Sequence, residues 1–359
     1  MKILYGVTGE GMGHATRSKV TIEHLLGRGH AVKVAASGRA YKFLSKDFDA
    51  VEIGGLEIKY TDGAMDIGRS IVHNMQAMPS VVARNVPAYQ EIEQFAPEFV
   101  FTDFDSFAYL YAKSHNLPVV SIDNIQMIDR CVHPAAITAG VEADFKTAKS
   151  FVNGKLPYCS SYVITTFFYP PINPLYARNT ILVPPSLRDV VLAAEPRIGD
   201  HVLVYQTSGS DTRLLNVLNS FTDQRFIVYG LGRDGVSKNC TIKNFREREF
   251  VDDLAACKAV VTNGGMSLLG EALYLQKPVY SVPIRGHFEQ IMNARYLAGL
   301  GYGMTSDWFE PVTFAEFLRL APRFASRIRS VPRQDGNRML YETVDKLLKT
   351  SAENSVKPQ

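Results

Sequence analysis

Ile3-Leu4-Tyr5-Gly6-Val7-Thr8-Gly9-Glu10-Gly11-Met12-Gly13-His14 is the stretch on which the fold is decided. Ile3 to Val7 is a short apolar run, the pattern of a strand covered on both faces. Gly9 to His14 reads as a glycine-rich turn, and Thr16 to Leu26 carries helical spacing through Val20, Ile22, Leu25 and Leu26. Gly27 and Gly29 end that helix, and Ala31 to Ala36 reads as the next strand. The result is a βαβ unit, and its pattern returns. Phe99 to Asp103 is a strand, Phe107 to Ser114 a helix, and Pro118 to Ile122 another strand. Strands alternating with helices imply a parallel sheet with both faces covered.

A second series opens at His201-Val202-Leu203-Val204-Tyr205 and enters a small-residue turn, Gln206-Thr207-Ser208-Gly209-Ser210. Strand signals follow at 225–230, 259–262 and 278–282. Between the two series lies a Pro-rich stretch from Pro184 to Asp200. The expected fold class is therefore α/β, with two Rossmann-like, doubly wound parallel-sheet domains facing each other across a cleft. The expected organisation is a first domain over 1–183, a linker over 184–200 and a second domain over 201–334. A helix over 335–350 would return to the first domain, and residues 351–359 would fray.

Composition narrows the function classes. A length of 359 residues suits two domains, and 21% charged residues beside 46% hydrophobic ones exclude a disordered chain. The net charge of +3 gives no argument for nucleic acid. Cys131, Cys159, Cys240 and Cys257 lie far apart without metal-ligand spacing, so they read as reduced thiols of a cytoplasmic protein. Neither a membrane-spanning run nor a signal peptide is expected.

The glycine turn invites comparison with a dinucleotide site. Gly9-x-Gly11 fits the first half of that fingerprint, but the third glycine would fall at His14, and the second strand ends Ala36-Ser37-Gly38-Arg39 without an acidic ribose ligand. Ser37 and Arg39 could accept a 2′-phosphate, so an NADP oxidoreductase stays open. The alternative makes His14 the point of the loop. A histidine at the mouth of a strand-turn-helix, beside an interdomain crevice, is placed to be a general base, or else it merely caps the helix. The sharpest segment is Thr262-Asn263-Gly264-Gly265-Met266-Ser267-Leu268-Leu269-Gly270-Glu271. Gly264 and Gly265 would expose backbone N–H groups and Ser267 adds a hydroxyl, which together make a diphosphate cradle. One turn on, Glu271 can accept hydrogen bonds from both ribose hydroxyls. Glu289 and Gln290, in Pro283-Ile284-Arg285-Gly286-His287-Phe288-Glu289-Gln290-Ile291-Met292-Asn293-Ala294, can read sugar hydroxyls.

With these residues in view, the chain resembles the two-domain GT-B glycosyltransferases. Within them it is similar to the UDP-glycosyltransferase superfamily, to the bacterial peptidoglycan N-acetylglucosaminyltransferases and to a microbial branch of these enzymes. The likeness rests on Glu10 to Arg17, on Asn263 to Ser267 with Glu271, and on the Gln290-x-x-Asn293-Ala294 ending. Many members carry His where this chain has Asn263, which leaves the backbone cradle and weakens a side-chain contact to phosphate. The resemblance implies inverting, metal-independent transfer from a UDP-sugar, with no cofactor. His14 would be the base and Asp103 its orienter, with Asp105 as the fallback or, preferably, a helix cap. Gly13, Ser208, Gly209 and Ser210 would join the sugar-donor site, and Phe245 would lie against uracil or else pack in the core. The acceptor would bind the first domain along Gly54 to Pro87, where Met65, Met75 and Met78 accompany Arg69 and His73. Those methionines suit a lipid or other apolar acceptor, or a plain core. From Arg319 onward nine Lys or Arg face four Asp or Glu. Arg323, Arg327, Arg329, Arg333 and Arg338 among Phe324, Ile328 and Val331 read as a solvated face or as a peripheral membrane contact on the cytoplasmic side. A UDP-sugar epimerase of the same fold and a non-catalytic nucleotide-sugar binder remain alternatives.

Overall fold

The computed structural model of the chain describes residues 1–9, 11–61, 64–206 and 211–356. In the first half the strands are β1 Lys2–Val7, β2 Ala31–Ala36, β3 Ala50–Glu52, β4 Tyr60–Thr61, β5 Ala64–Met65, β6 Phe99–Asp103, β7 Val119–Asp123, β8 Ser161–Thr165 and β9 Thr180–Val183. A seven-stranded sheet runs β3-β2-β1-β6-β7-β8-β9, and its pairings are all parallel. β4 and β5 form a separate small hairpin. Every residue of β6 and β7 is buried, which explains why apolar residues fall on both faces of each strand. Alternation along β1 feeds two cores. Ile3, Tyr5 and Val7 pack on one face with Val34 and Ile22, while Leu4 packs on the other with Val100 and Ala108.

The second half contributes β10 His201–Tyr205, β11 Arg225–Tyr229, β12 Gly235–Ser237, β13 Cys240–Ile242, β14 Ala259–Thr262, β15 Val279–Ser281 and β16 Gly303–Thr305. Their order is β12-β13-β11-β10-β14-β15-β16, with only the edge pair β12–β13 antiparallel among these pairings. Strand order reverses between β1 and β6 in one sheet and between β10 and β14 in the other. Such switch points leave a crevice outside the carboxyl ends of the strands, where ligands bind in open α/β sheets.

Two helix bounds depart from expectation, and the linker shows one further detail. The first helix runs Met12–Gly27, earlier than its apolar spacing indicates, because Gly11 at φ 84° turns the chain directly into it. His14 therefore stands in the first turn of a helix. The expected linker 184–200 is packed against the rest of the chain. Leu187 and Val191 are fully buried, and Asn337 bonds both the N–H and the carbonyl of Leu187, so the two chain crossings between domains lie side by side. Finally, the last helix runs Asn337–Val356, so the tail expected to fray from Ser351 continues helical for six residues. Leu340, Val344 and Leu348 of that helix pack into the β1 core, and His24 stacks on Tyr341 at 4.1 Å. No helix among the described residues is long and apolar enough to cross a membrane.

Candidate functional site

Adjacent parallel strands deliver the central pair. β1 and β6 are in register from Ile3↔Phe99 to Val7↔Asp103, so Asp103 ends its strand beside the end of β1, from which the chain leads into the His14-bearing helix. His14 Nδ1 lies 2.7 Å from Asp103 Oδ1, with the imidazole 12% exposed and the carboxylate fully buried. Arg17 follows His14 by one helical turn. Its Nε donates to Asp103 Oδ2 at 2.7 Å and its Nη2 to Oδ1 at 2.5 Å. Ser18 Oγ adds a bond to Oδ2 at 3.0 Å. Burial alone would push the Asp103 carboxyl up, but attraction to Arg17 and then His14 holds it below the usual carboxylate value. An ionised carboxylate beside Nδ1 fixes the imidazole tautomer, leaving Nε2 with the lone pair a base needs.

Asp105 takes its other expected role. It caps the helix Ser106–Ser114 through Ala108 N–H at 2.8 Å, and burial pushes its carboxyl up to about 6.

The glycine turn after β14 faces this pair from the second domain. Gly264 has φ 92°, and a side chain there would meet Ser281 Oγ at 2.8 Å and Gln290 O at 3.0 Å, so only glycine fits. Asn293, fully buried, holds the turn by donating to Gly264 O at 3.0 Å. The helix Met266–Tyr274 then begins without a side-chain cap, so its first amides are free to serve an anion. Ser267 Oγ donates to Gly13 O of the other domain at 3.1 Å. Glu289 also crosses the crevice, with Oε1 accepting from Asn124 Nδ2 at 2.6 Å.

Comparison with known proteins now decides the family. The model of the family described as glycosyl transferase family 1 matches residues 1–322. The chain belongs to glycosyl transferase family 1. An uncharacterized glycosyltransferase of Methanosarcina acetivorans is 25% identical over 97% of this chain and 98% of its own. Among solved structures, the glycotransferase of kitacinnamycin superposes with a TM-score of 0.67 at 16% identity, covering 96% of this chain and 98% of its own. Phytolacca americana UGT2, complexed with UDP-2fluoro-glucose and pterostilbene, gives 0.63 at 12% identity, covering 96% of this chain and 99% of its own. The architecture is GT-B, and the protein is a glycosyltransferase. An oxidoreductase on the broken dinucleotide fingerprint is set aside.

The remaining expected residues of this glycosyltransferase fall unevenly. Glu271 is 5% exposed and does not stand open to a ribose. Both its oxygens accept from Arg188 of the linker at 2.8 Å, and Arg188 also reaches Glu247 at 2.8 Å. Gln290 Oε1 accepts from Ile284 N–H at 3.0 Å, and Asn263 Nδ2 donates to Val282 O, so both brace the loop after β15. Phe245 is 40% exposed, with the Phe250 ring at 5.3 Å. Ser208, Gly209 and Ser210 lie outside the described residues.

On the acceptor side, Met75 and Met78 are exposed on the helix Ile67–Phe95 rather than in a core, beside exposed Ile71 and Val72. A shallow depression of about 400 Å³ there is lined by Lys59, Gly68, Arg69, Val72, His73 and Gln76. The start of this helix adjoins the site, since Met65 N–H donates to Arg285 O at 2.9 Å. The basic C-terminal face reads differently once folded. Ile328 is buried, Phe324 and Val331 pack partly inward, and Arg327 bonds Leu300 O.

The sequence assigns no role to four site residues, Arg17, Asn124, Arg188 and Asn293, although Arg17 and Asn293 stand within the motifs that carry the resemblance. Two had a local signal, because Arg17 follows His14 by three and Asn293 follows Glu289 by four, spacings that share a helix face. Asn124 follows the end of β7, beside β6, and only the strand order reveals that neighbourhood. Arg188 meets Glu271 through the linker, which no local pattern announces.

Proposed function

We propose that this glycosyltransferase is inverting and metal-independent, and that it moves a sugar from a UDP-sugar to a hydroxyl of an acceptor with an apolar part. The observation that carries the reading is the His14–Asp103 contact of 2.7 Å at the switch point, opposite the uncapped glycine turn. His14 Nε2 takes the proton of the acceptor hydroxyl as its oxygen forms a bond to the anomeric carbon. The bond from that carbon to the diphosphate breaks in the same displacement, and UDP leaves with the electron pair. A single displacement inverts the anomeric centre. Asp103 stabilises the imidazolium formed, and the amides of Gly265 and its neighbours with the Ser267 hydroxyl meet the growing charge on the leaving diphosphate.

UDP is the proposed carrier because the turn and helix start suit a diphosphate, and because a structure of the same fold is described with UDP-2fluoro-glucose. An apolar acceptor is favoured by the exposed Ile71, Val72, Met75 and Met78 leading away from the Met65–Arg285 contact.

Incubation with a panel of UDP-sugars, following UDP release and the anomeric configuration of the product by NMR, tests the reading. UDP release with inversion supports it. A new sugar nucleotide would make the protein an epimerase, and binding without turnover a nucleotide-sugar binder.

A further inference from the structure

Arg17 stands at the centre of the site with more polar contacts than a surface arginine needs. It is 6% exposed, with Nε and Nη2 on the two oxygens of Asp103 and Nη1 on Asn124 Oδ1. Asn124, itself 2% exposed, passes the contact to Glu289 of the second domain. An unbroken polar chain therefore runs His14–Asp103–Arg17–Asn124–Glu289 from one domain to the other.

We propose that Arg17 is a positioning residue for sugar transfer: it locks the Asp103 carboxylate against His14 and, through Asn124, ties that alignment to Glu289 of the facing domain. The proposal rests on the reading of His14 as the base.

The geometry gives the reason. His14 Nδ1, Arg17 Nη2 and Asp103 Oδ1 form a triangle with sides of 2.7, 2.5 and 2.6 Å, in which the oxygen is the acceptor common to both nitrogens. A carboxylate gripped on its other oxygen by Arg17 Nε and Ser18 Oγ cannot turn away from the imidazole. Bidentate guanidinium geometry suits this task, and a lysine ammonium does not reproduce it. The positive charge has a second effect, since it opposes proton uptake by Asp103. Other ionisable groups facing this cluster are Tyr5 from β1, Asp105 from the loop after β6, Asp123 from β7 and Glu289 from the second domain. Arg17 is the cation among them that touches Asp103, so its removal leaves a predominantly acidic surround.

The test is the pH profile of kcat and KM for UDP release from UDP-glucose and UDP-N-acetylglucosamine, with water as acceptor. Parent, Arg17→Gln, Arg17→Lys, Asn124→Ala and His14→Ala are compared, with UDP affinity by calorimetry. Arg17→Gln is expected to lower kcat by about 10²-fold, the scale of a small misplacement, with UDP affinity retained. Its acid limb should move up by about one pH unit, as expected when a neighbouring cation is removed. Arg17→Lys should restore the acid limb but only part of kcat, and Asn124→Ala should lower kcat without moving the limb. A merely structural arginine would move no limb. Should Arg17→Gln not fold, Arg17→Lys and Asn124→Ala carry the test, and parental kcat in both overturns the proposal. Parental kcat and limb in Arg17→Gln overturn it as well. His14→Ala separates the two claims. Retained turnover there removes the base itself, whereas an inactive His14→Ala beside a parental Arg17→Gln removes the Arg17 role alone.

Discussion

Ser267 Oγ donates to the carbonyl oxygen of Gly13 at 3.1 Å, joining the glycine turn of the second domain to the His14-bearing helix of the first. The glycine turn and His14 are thus held face to face, and Asn124–Glu289 and Met65–Arg285 bridge the same crevice elsewhere. On the proposed function, a UDP-sugar enters when these contacts part about the twin crossings at Leu187 and Asn337.

That requirement is open to a direct lock. An ideal Cβ on Gly13 would lie 3.5 Å from Ser267 Cβ, within the span of a disulfide. The double variant Gly13→Cys/Ser267→Cys should release UDP from a UDP-sugar when reduced and stop when oxidised, reversibly. The four native cysteines are buried and do not compete. Equal turnover in the oxidised and reduced forms, with the bond verified by mass, would show that the crevice need not open.

Glu271 and Arg188 supply a second test, because the carboxylate matched to ribose is bonded to the linker. Removing one partner of a buried ion pair costs on the order of 3–5 kcal/mol, while removing both costs less. Glu271→Met and Arg188→Met should each lower the urea midpoint, and the double variant should recover part of the loss. UDP affinity decides the remaining question. If Glu271 also serves ribose, the double variant binds UDP more weakly than the parent even though its stability recovers; unchanged affinity would make the pair purely a linker anchor.

Asp105 predicts the pH dependence of stability. Its carboxyl is pushed up to about 6 from an ordinary 3.8, so between those values the folded chain binds the proton that the unfolded chain has lost. The contribution to stability therefore falls as pH rises through that window. Asp105→Asn keeps a capping oxygen for Ala108 N–H and cannot ionise. At pH 7 the variant should be more stable than the parent by on the order of 1–3 kcal/mol, and the difference should vanish below pH 4. Urea titrations with the same pH slope in both proteins would contradict this.

Much of this molecule is legible in its sequence because parallel strands buried on both faces announce themselves. Phe99-Val100-Phe101 and Val202-Leu203-Val204 leave no polar face to explain, and glycine turns mark where each sheet is entered. His14 and Asp103 could be paired because the resemblance implies it and because each follows or ends a strand of the first domain, at its carboxyl end. What escaped depends on contacts between distant segments. Arg188 and Glu271 are 83 residues apart and Asn124 and Glu289 are 165 apart, and no spacing rule links them. Helical periodicity also misplaced the first helix, since Gly11, Met12 and Gly13 carry no apolar stripe although the helix has begun by Met12.

The central claim is that His14 is the base and Asp103 its orienter, and single-turnover transfer by His14→Ala measures it most directly. A positioned base contributes roughly 10²–10⁴-fold, so His14→Ala should lose turnover on that scale while binding UDP like the parent. Asp103→Asn should lose less, and the double variant should be little worse than His14→Ala, because the two residues act as one unit. Near-parental transfer by a folded His14→Ala would contradict the account and reduce the 2.7 Å contact to a structural bond.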